Sequence, residues 1–129
     1  GEPVDWAETV TYHGMMFTGV PNMLWIMGYF RASWTLRADL LSDFVCRLLK
    51  HMDETGVSRV TPRLRAEDAE MPIGPWMDPD NFNPNSLMRS LHLRPRAGDK
   101  PEWQHTQDYW LERKLIPAID LDDEAFEYA

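Results

Sequence analysis

The sequence predicts an α+β chain: short strands, one long amphipathic helix, then a proline-rich wrap with short helices. Three observations carry that prediction. Apolar residues recur at helical spacing from Trp34 to Glu54. Two strand-like runs precede them, Thr9-Val10-Thr11-Tyr12 and the continuously apolar Met23-Leu24-Trp25-Ile26-Met27. Most of the chain's ten prolines fall in its second half. The change in character divides the chain into residues 1–56, with strand, loop and helix, and residues 57–129, an extension.

Taken in order, Thr9 to Tyr12 has the β-branched and aromatic content of a short strand and stops at His13-Gly14. The stretch from Gly14 to Asn22, with Gly19 and Pro21-Asn22, reads as loop and turn around an apolar centre. Met23 to Met27 is apolar on both faces, as a strand buried within a layered sheet would be. In the helix, Leu36, Leu40, Leu41, Phe44, Val45, Leu48, Leu49 and Met52 form the apolar face, while Arg37, Asp43, Arg47 and Lys50 lie mostly opposite. Ser33 stands at the N-cap, Gly56 at the left-handed C-terminal position, and Asp43 and Arg47 have the spacing of a helical ion pair.

Beyond Gly56, Val57 to Val60 suits one more short strand. Pro62, Pro72, Pro75, Pro79 and Pro84 then make residues 61–84 an extended connection, because proline removes amide donors and breaks helices. Short helices are expected from Asn85 to Leu93 and within residues 101–116, where Trp103 to Leu111 spaces aromatics helically. Asp120 to Glu127 forms an acidic tail.

A net charge of −8 argues against nucleic acid as a partner, since phosphate binding rests on surplus Lys and Arg. No apolar run is long enough to span a membrane, the stretch from Met15 to Met27 being broken by Thr18, Gly19, Pro21 and Asn22. With one cysteine, Cys46, and no charged-then-apolar leader, the expected location is the cytoplasm. His13, His51, His92 and His105 are scattered without metal-ligand spacing, and Cys46 reads as a buried, inert thiol of the helix. Asp122, Asp123 and Glu124 read as solvated surface. The basic group Arg89, His92, Arg94, Arg96 and Lys100 reads as water-facing or as the match for an acidic neighbour.

No constellation of acid, base, nucleophile or phosphate loop stands out. The informative feature is the order strand, Gly28 to Ser33 loop, helix. A helix opening from the end of a buried strand points free amides and its positive dipole end into the crevice there. The same order also serves as a plain strand-to-helix turn.

The run Tyr12-His13-Gly14-Met15-Met16-Phe17-Thr18-Gly19-Val20-Pro21-Asn22-Met23, then Gly28-Tyr29 and Ala32-Ser33-Trp34-Thr35-Leu36-Arg37-Ala38-Asp39-Leu40, resembles the end of the FAD domain in class B flavoprotein monooxygenases of the Baeyer-Villiger, ethionamide-activating type. The match is specific over residues 12–52, and the later segments agree in order. The resemblance implies that residues 1–56 hold the last strand, loop and helix of an FAD-binding α/β domain, and residues 57–129 its C-terminal extension. It implies a parent enzyme in which NADPH reduces FAD and a C4a-peroxyflavin oxygenates ketones or soft sulfur and nitrogen atoms. The backbone at Thr35, Leu36, Arg37 and Ala38 would approach the pyrimidine edge of the flavin, while Met15, Met16 and the loop ending at Ser33 would line the ring's surroundings. No catalytic residue and no metal ligand is implied.

GxGxxG, a second dinucleotide fold and the FxGxxxHxxxW fingerprint are absent from the sequence. The expectation is therefore a C-terminal fragment, inactive alone and holding neither FAD nor NADPH tightly. Its partners would be the missing FAD and NADPH domains of the same chain, or a second copy through exposed apolar faces. The rival reading is a stand-alone interaction module whose six tryptophans and eight methionines make a sticky surface; a small flavin or lipid binder is a third.

Overall fold

A computed structural model describes residues 1–76 and 89–129. Among the described residues, three two-stranded antiparallel sheets and two α-helices make an α+β structure. A 3₁₀ turn at Trp6–Glu8 leads into the hairpin of β1 (Thr11–Tyr12) and β2 (Met16–Phe17). Thr11 pairs with Phe17 and Tyr12 with Met16. His13 and Gly14 make the turn with φ of 50° and 68°, the doubly left-handed geometry that suits the right-handed twist of a hairpin. A side chain at Gly14 would also collide with His105, whose Nδ1 would lie 2.0 Å from its Cβ.

Met23 to Met27 is not a strand. Its Trp25 amide donates to the Met15 carbonyl at 2.7 Å, but no sheet forms there and Ile26 is 39% exposed. A strand needs a ladder partner, and β1 and β2 pair with each other. Trp25 instead packs half-buried against Phe17 and Trp76, at centroid distances of 5.8 and 5.5 Å.

Helix α1 (Trp34–Thr55) matches the expected span, and Gly56 closes it with φ 73° while the Val57 amide reaches back to the Met52 carbonyl at 3.0 Å. Leu41, Phe44, Leu48 and Met52 form its buried stripe. Four details of the helix differ from expectation, the first being that Leu49, placed on the apolar face, is 59% exposed. Arg37, placed on the polar side by pattern, is 0% exposed. Cys46 is exposed, because its position points away from the stripe. Arg47 reaches the Ile116 and Ile119 carbonyls, at 3.1 and 3.5 Å, which buried acceptors of another segment reward more than a solvent-facing Asp43.

The wrap is anchored by β3 (Val60–Pro62) against β6 (Phe126–Tyr128), and by β4 (Ile73–Pro75) against β5 (Arg96–Gly98). The strand expected at Val57 to Val60 thus begins at its last residue, although the Ser58 and Arg59 amides extend the contact by donating to Ala129. Of the helix expected from Asn85 to Leu93, residues 85–88 lie outside the described residues, Arg89 and Ser90 are helical, and Leu91–Leu93 is a 3₁₀ turn. Trp103 to Leu111 is not one helix. A 3₁₀ turn at Pro101–Trp103 gives way to an irregular stretch, and α2 spans Tyr109–Leu115, started by Asp108, whose carboxylate accepts from the Leu111 amide at 3.2 Å.

One core unites both halves. Tyr12 meets Trp103 and Phe126 edge to face at 5.3 and 5.1 Å, with Met15, Leu41 and Ile116 buried in the same cluster. An ion-pair hub lies beside it: Arg65 contacts Asp68, Glu102 and Asp123, and Lys100 reaches Asp68 at 2.6 Å. Burial would raise the Asp68 carboxyl, but hydrogen bonds from Arg65 and Lys100 hold it well below the usual carboxylate range. Asp123 of the acidic tail, expected to be solvated, is therefore structural, and Lys100 of the basic group matches an acidic neighbour. Among the described residues no helix is long and apolar enough to cross a membrane.

Candidate functional site

The start of α1 is surrounded by residues far apart in sequence. Ser33 occupies the N-cap position with φ −60° and ψ 128°, yet its hydroxyl caps nothing in the helix; Ser33 Oγ and Thr35 Oγ1 share a hydrogen bond at 2.8 Å. The first turn carries no acidic residue, so the helix's positive end is left without a neutralising side chain. Ser33, Trp34 and Thr35 are exposed, Leu36 and Ala38 half-buried. Trp34 covers Gly28 so closely that a Cβ there would lie 2.1 Å from the indole. Glycine is what lets the loop lie under the ring.

Beneath this surface lies a buried polar network. Arg37 Nε donates to Glu112 Oε1 at 2.9 Å, and Arg37 Nη2 reaches Oε2 at 3.3 Å. Nη1 donates to the Met27 carbonyl at 2.8 Å and Nη2 to the His13 carbonyl at 2.6 Å. The Tyr29 hydroxyl donates to Glu112 Oε1 at 2.7 Å. Burial first, then this contact with Glu112, pushes the Tyr29 phenol far above its ordinary value, so it stays a donor.

Gln107 ties the loop to the same region. Its Oε1 accepts from the Phe30 amide at 2.8 Å, which orients its amide group so that Nε2 faces His105 Nε2 at 2.9 Å. His105 Nε2 therefore accepts and Nδ1 carries the proton. That Nδ1 is buried without a hydrogen-bond partner, against Gly14. Burial, with the Arg37 charge adding to it, lowers the His105 pKa to about 3, and burial lowers that of His13 to about 4. Both imidazoles are neutral near pH 7. His105 and Trp76, 4.9 Å apart, also border a cleft of about 550 Å³ whose other walls include Gly74, Gly98 and Gln104.

Of the site residues expected from sequence, the structure gathers Ser33, Thr35, Leu36, Arg37 and Ala38 in one helical turn. Met15 and Met16 are buried in the core, just past the His13 carbonyl that Arg37 holds. Tyr29 lies in the Gly28 to Ser33 loop that the resemblance implicates, whereas Glu112, His105 and Gln107 are not singled out by the sequence. A signal was present for Glu112: Arg37 precedes Leu41 by four residues and Phe44 by seven, so a cation sits in the apolar stripe and requires a buried counter-charge. Among the described residues no group of three His, Cys, Asp or Glu side chains could hold a metal ion.

The arrangement suits an electron-rich edge placed against the helix start. No side chain caps the first turn, although the Leu36 amide donates to the Ser33 carbonyl at 3.2 Å, no carboxylate repels from that turn, and the nearest buried cation is already paired. Comparison with known proteins finds no matching family model and no matching solved structure. Among curated proteins, the FAD-containing monooxygenase EthA of Mycolicibacterium smegmatis is 39% identical over 128 residues, 99% of this chain and 25% of the relative. The FAD-containing monooxygenase EthA of Mycobacterium tuberculosis is 41% identical over 129 residues, 100% of this chain and 25% of the relative. The chain spans about a quarter of the length of these curated relatives.

Proposed function

We propose that this chain, homologous along its length to FAD-containing monooxygenases, is the C-terminal part of such an enzyme and forms one wall of its flavin site. The whole-length kinship is the observation that carries the reading. The uncapped start of α1 supports it, because reduced flavin gathers negative charge at its pyrimidine edge and the amides about Thr35, Leu36, Arg37 and Ala38 would stabilise that charge. Residues 1–56 would complete the FAD-binding domain and residues 57–129 would wrap it as an extension.

In the parent, bound FAD reduced by NADPH supplies the activation of dioxygen for oxygenating ketones, as a Baeyer-Villiger enzyme does, or soft sulfur and nitrogen atoms. This chain's residues hold and shield rather than react. Ser33 and Thr35 present hydroxyls at the edge, Trp34 roofs the loop at Gly28, and Met15 and Met16 back the site from the core. By itself the chain would neither hold FAD or NADPH tightly nor turn over. Its exposed apolar residues would be covered by the FAD and NADPH domains of the same polypeptide, in the cytoplasm.

The test is to isolate the native product from source cells with an antibody against this chain. A product several times longer that purifies yellow with about one FAD per chain and oxidises NADPH is expected. A product of this chain's own size without flavin would sink the reading and favour the Met- and Trp-rich interaction module.

A further inference from the structure

We infer that Glu112 is a positioning residue for the cofactor edge at the start of α1, acting through Arg37 by both geometry and charge; the inference rests on the flavin reading above. Arg37 and Glu112 are 0% and 1% exposed. The guanidinium belongs to the early part of α1, and its donors end on the His13 turn, on Met27 before the loop and on α2. Glu112 takes two of those contacts and fixes the plane of the fork. Without it the Met27 and His13 carbonyls would have to orient the group alone.

Charge gives the arrangement a consequence that packing does not. A buried guanidinium just inside the helix start adds to the dipole's positive field, and the Glu112 carboxylate cancels most of that addition. Neutralising Glu112 while keeping its shape leaves the positive field uncompensated. Whatever sits at the edge then carries negative charge more readily. For flavin, whose reduced form carries that charge, the midpoint potential moves positive. Removing the Tyr29 hydroxyl does the reverse: the carboxylate loses a donor that shares its charge, cancels Arg37 more fully, and the potential moves slightly negative.

The experiment uses the full-length flavin-loaded protein, with Glu112→Gln, Glu112→Asp and Tyr29→Phe compared at one pH by spectroelectrochemistry. The expected result is a positive shift in E112Q, a potential near the unsubstituted one in E112D, which keeps the charge, and a smaller negative shift in Y29F. Flavin retained with an unmoved potential in both E112Q and Y29F overturns the inference and leaves the pair a structural tie. If E112Q does not fold, the sign of the Y29F shift decides: negative supports the inference, and zero or positive overturns it. A full-length protein that binds no FAD before any substitution removes the functional reading itself, an outcome distinct from bound flavin with an unmoved potential.

Discussion

Glu112 and His105 are buried ionisable groups with opposite requirements, and each dictates a measurable response. Among the described residues, Glu112 is the one carboxylate that Arg37 contacts. Truncating one member of a buried pair strands the other, a loss of about 3–5 kcal/mol. Chemical denaturation of Glu112→Ala should show a loss of that size, and the double variant R37M/E112M should recover part of it because no charge is left buried. The recovery is partial since the His13 and Met27 carbonyls lose their donor. A double variant no more stable than E112A would mean that the carbonyl contacts, not the stranded charge, carry the energy.

The histidines give the pH response. Burial lowers His13 to about 4 and His105 to about 3 from an ordinary 6.5, so the unfolded chain binds protons more readily than the folded one within that window. Their stabilising contribution is fully present above about pH 6.5 and is lost as pH falls toward 4 and then 3. Asp68, also held low, contributes its loss only below its ordinary 3.8. Denaturation midpoints should therefore be flat from pH 7 to 8 and fall between pH 6 and 4. Replacing His105 with Gln should reduce that fall, and an undiminished fall would assign it to other groups.

Gly14 and Gly56 separate backbone strain from collision within elements. Both have positive φ, at 68° and 73°, which costs an L-residue about 1–2 kcal/mol. Nothing lies within 4 Å of a Cβ at Gly56, whereas one at Gly14 meets the His105 ring at 2.0 Å and the Arg37 Nη2 at 3.0 Å. Gly56→Ala should cost about 1 kcal/mol by thermal denaturation, and Gly14→Ala markedly more, since it also displaces the neutral imidazole. Equal losses would mean that His105 yields without strain. The same elements show what a sequence can convey. Helix α1 was legible to within a residue because its apolar stripe, Ser33 and Gly56 are local signals. Met23 to Met27 reads as a strand but forms none because an apolar run specifies burial without specifying a ladder partner, and α2 starts later than the aromatic periodicity predicts because the Asp108 cap sets its beginning. Within the candidate site, the turn from Ser33 to Ala38 and the loop that carries Tyr29 are legible, while Gln107, Glu112 and the contact of Tyr29 with Glu112 are not. These residues meet Arg37 or its loop only after residues 27–37 are brought against 105–112 by tertiary folding.

Across the whole molecule the distribution of apolar surface completes the argument. The core is closed by both ends of the chain, yet Trp34 and Trp110 are 50% and 67% exposed, with Ile26, Phe30 and Leu111 also large and exposed. They belong to neighbouring segments: Trp34 roofs the loop at Gly28, Tyr29 packs on Tyr109 at 5.9 Å, and Tyr109 adjoins Trp110 at 5.8 Å. On the reading proposed above, this uncovered apolar surface is where further domains of the same polypeptide would dock. The isolated chain should then self-associate through this surface as its concentration rises, read as a mass-action shift in sedimentation velocity. Trp110→Glu lies on the exposed side of α2, away from the Arg37 network, and should weaken that association while leaving the denaturation midpoint within about 0.5 kcal/mol. On the same reading the surface would be covered in the full-length protein, and the native polypeptide should show no such concentration dependence through these residues. Self-association that persists unchanged in W110E, or that appears equally in the full-length protein, would place the sticky surface elsewhere.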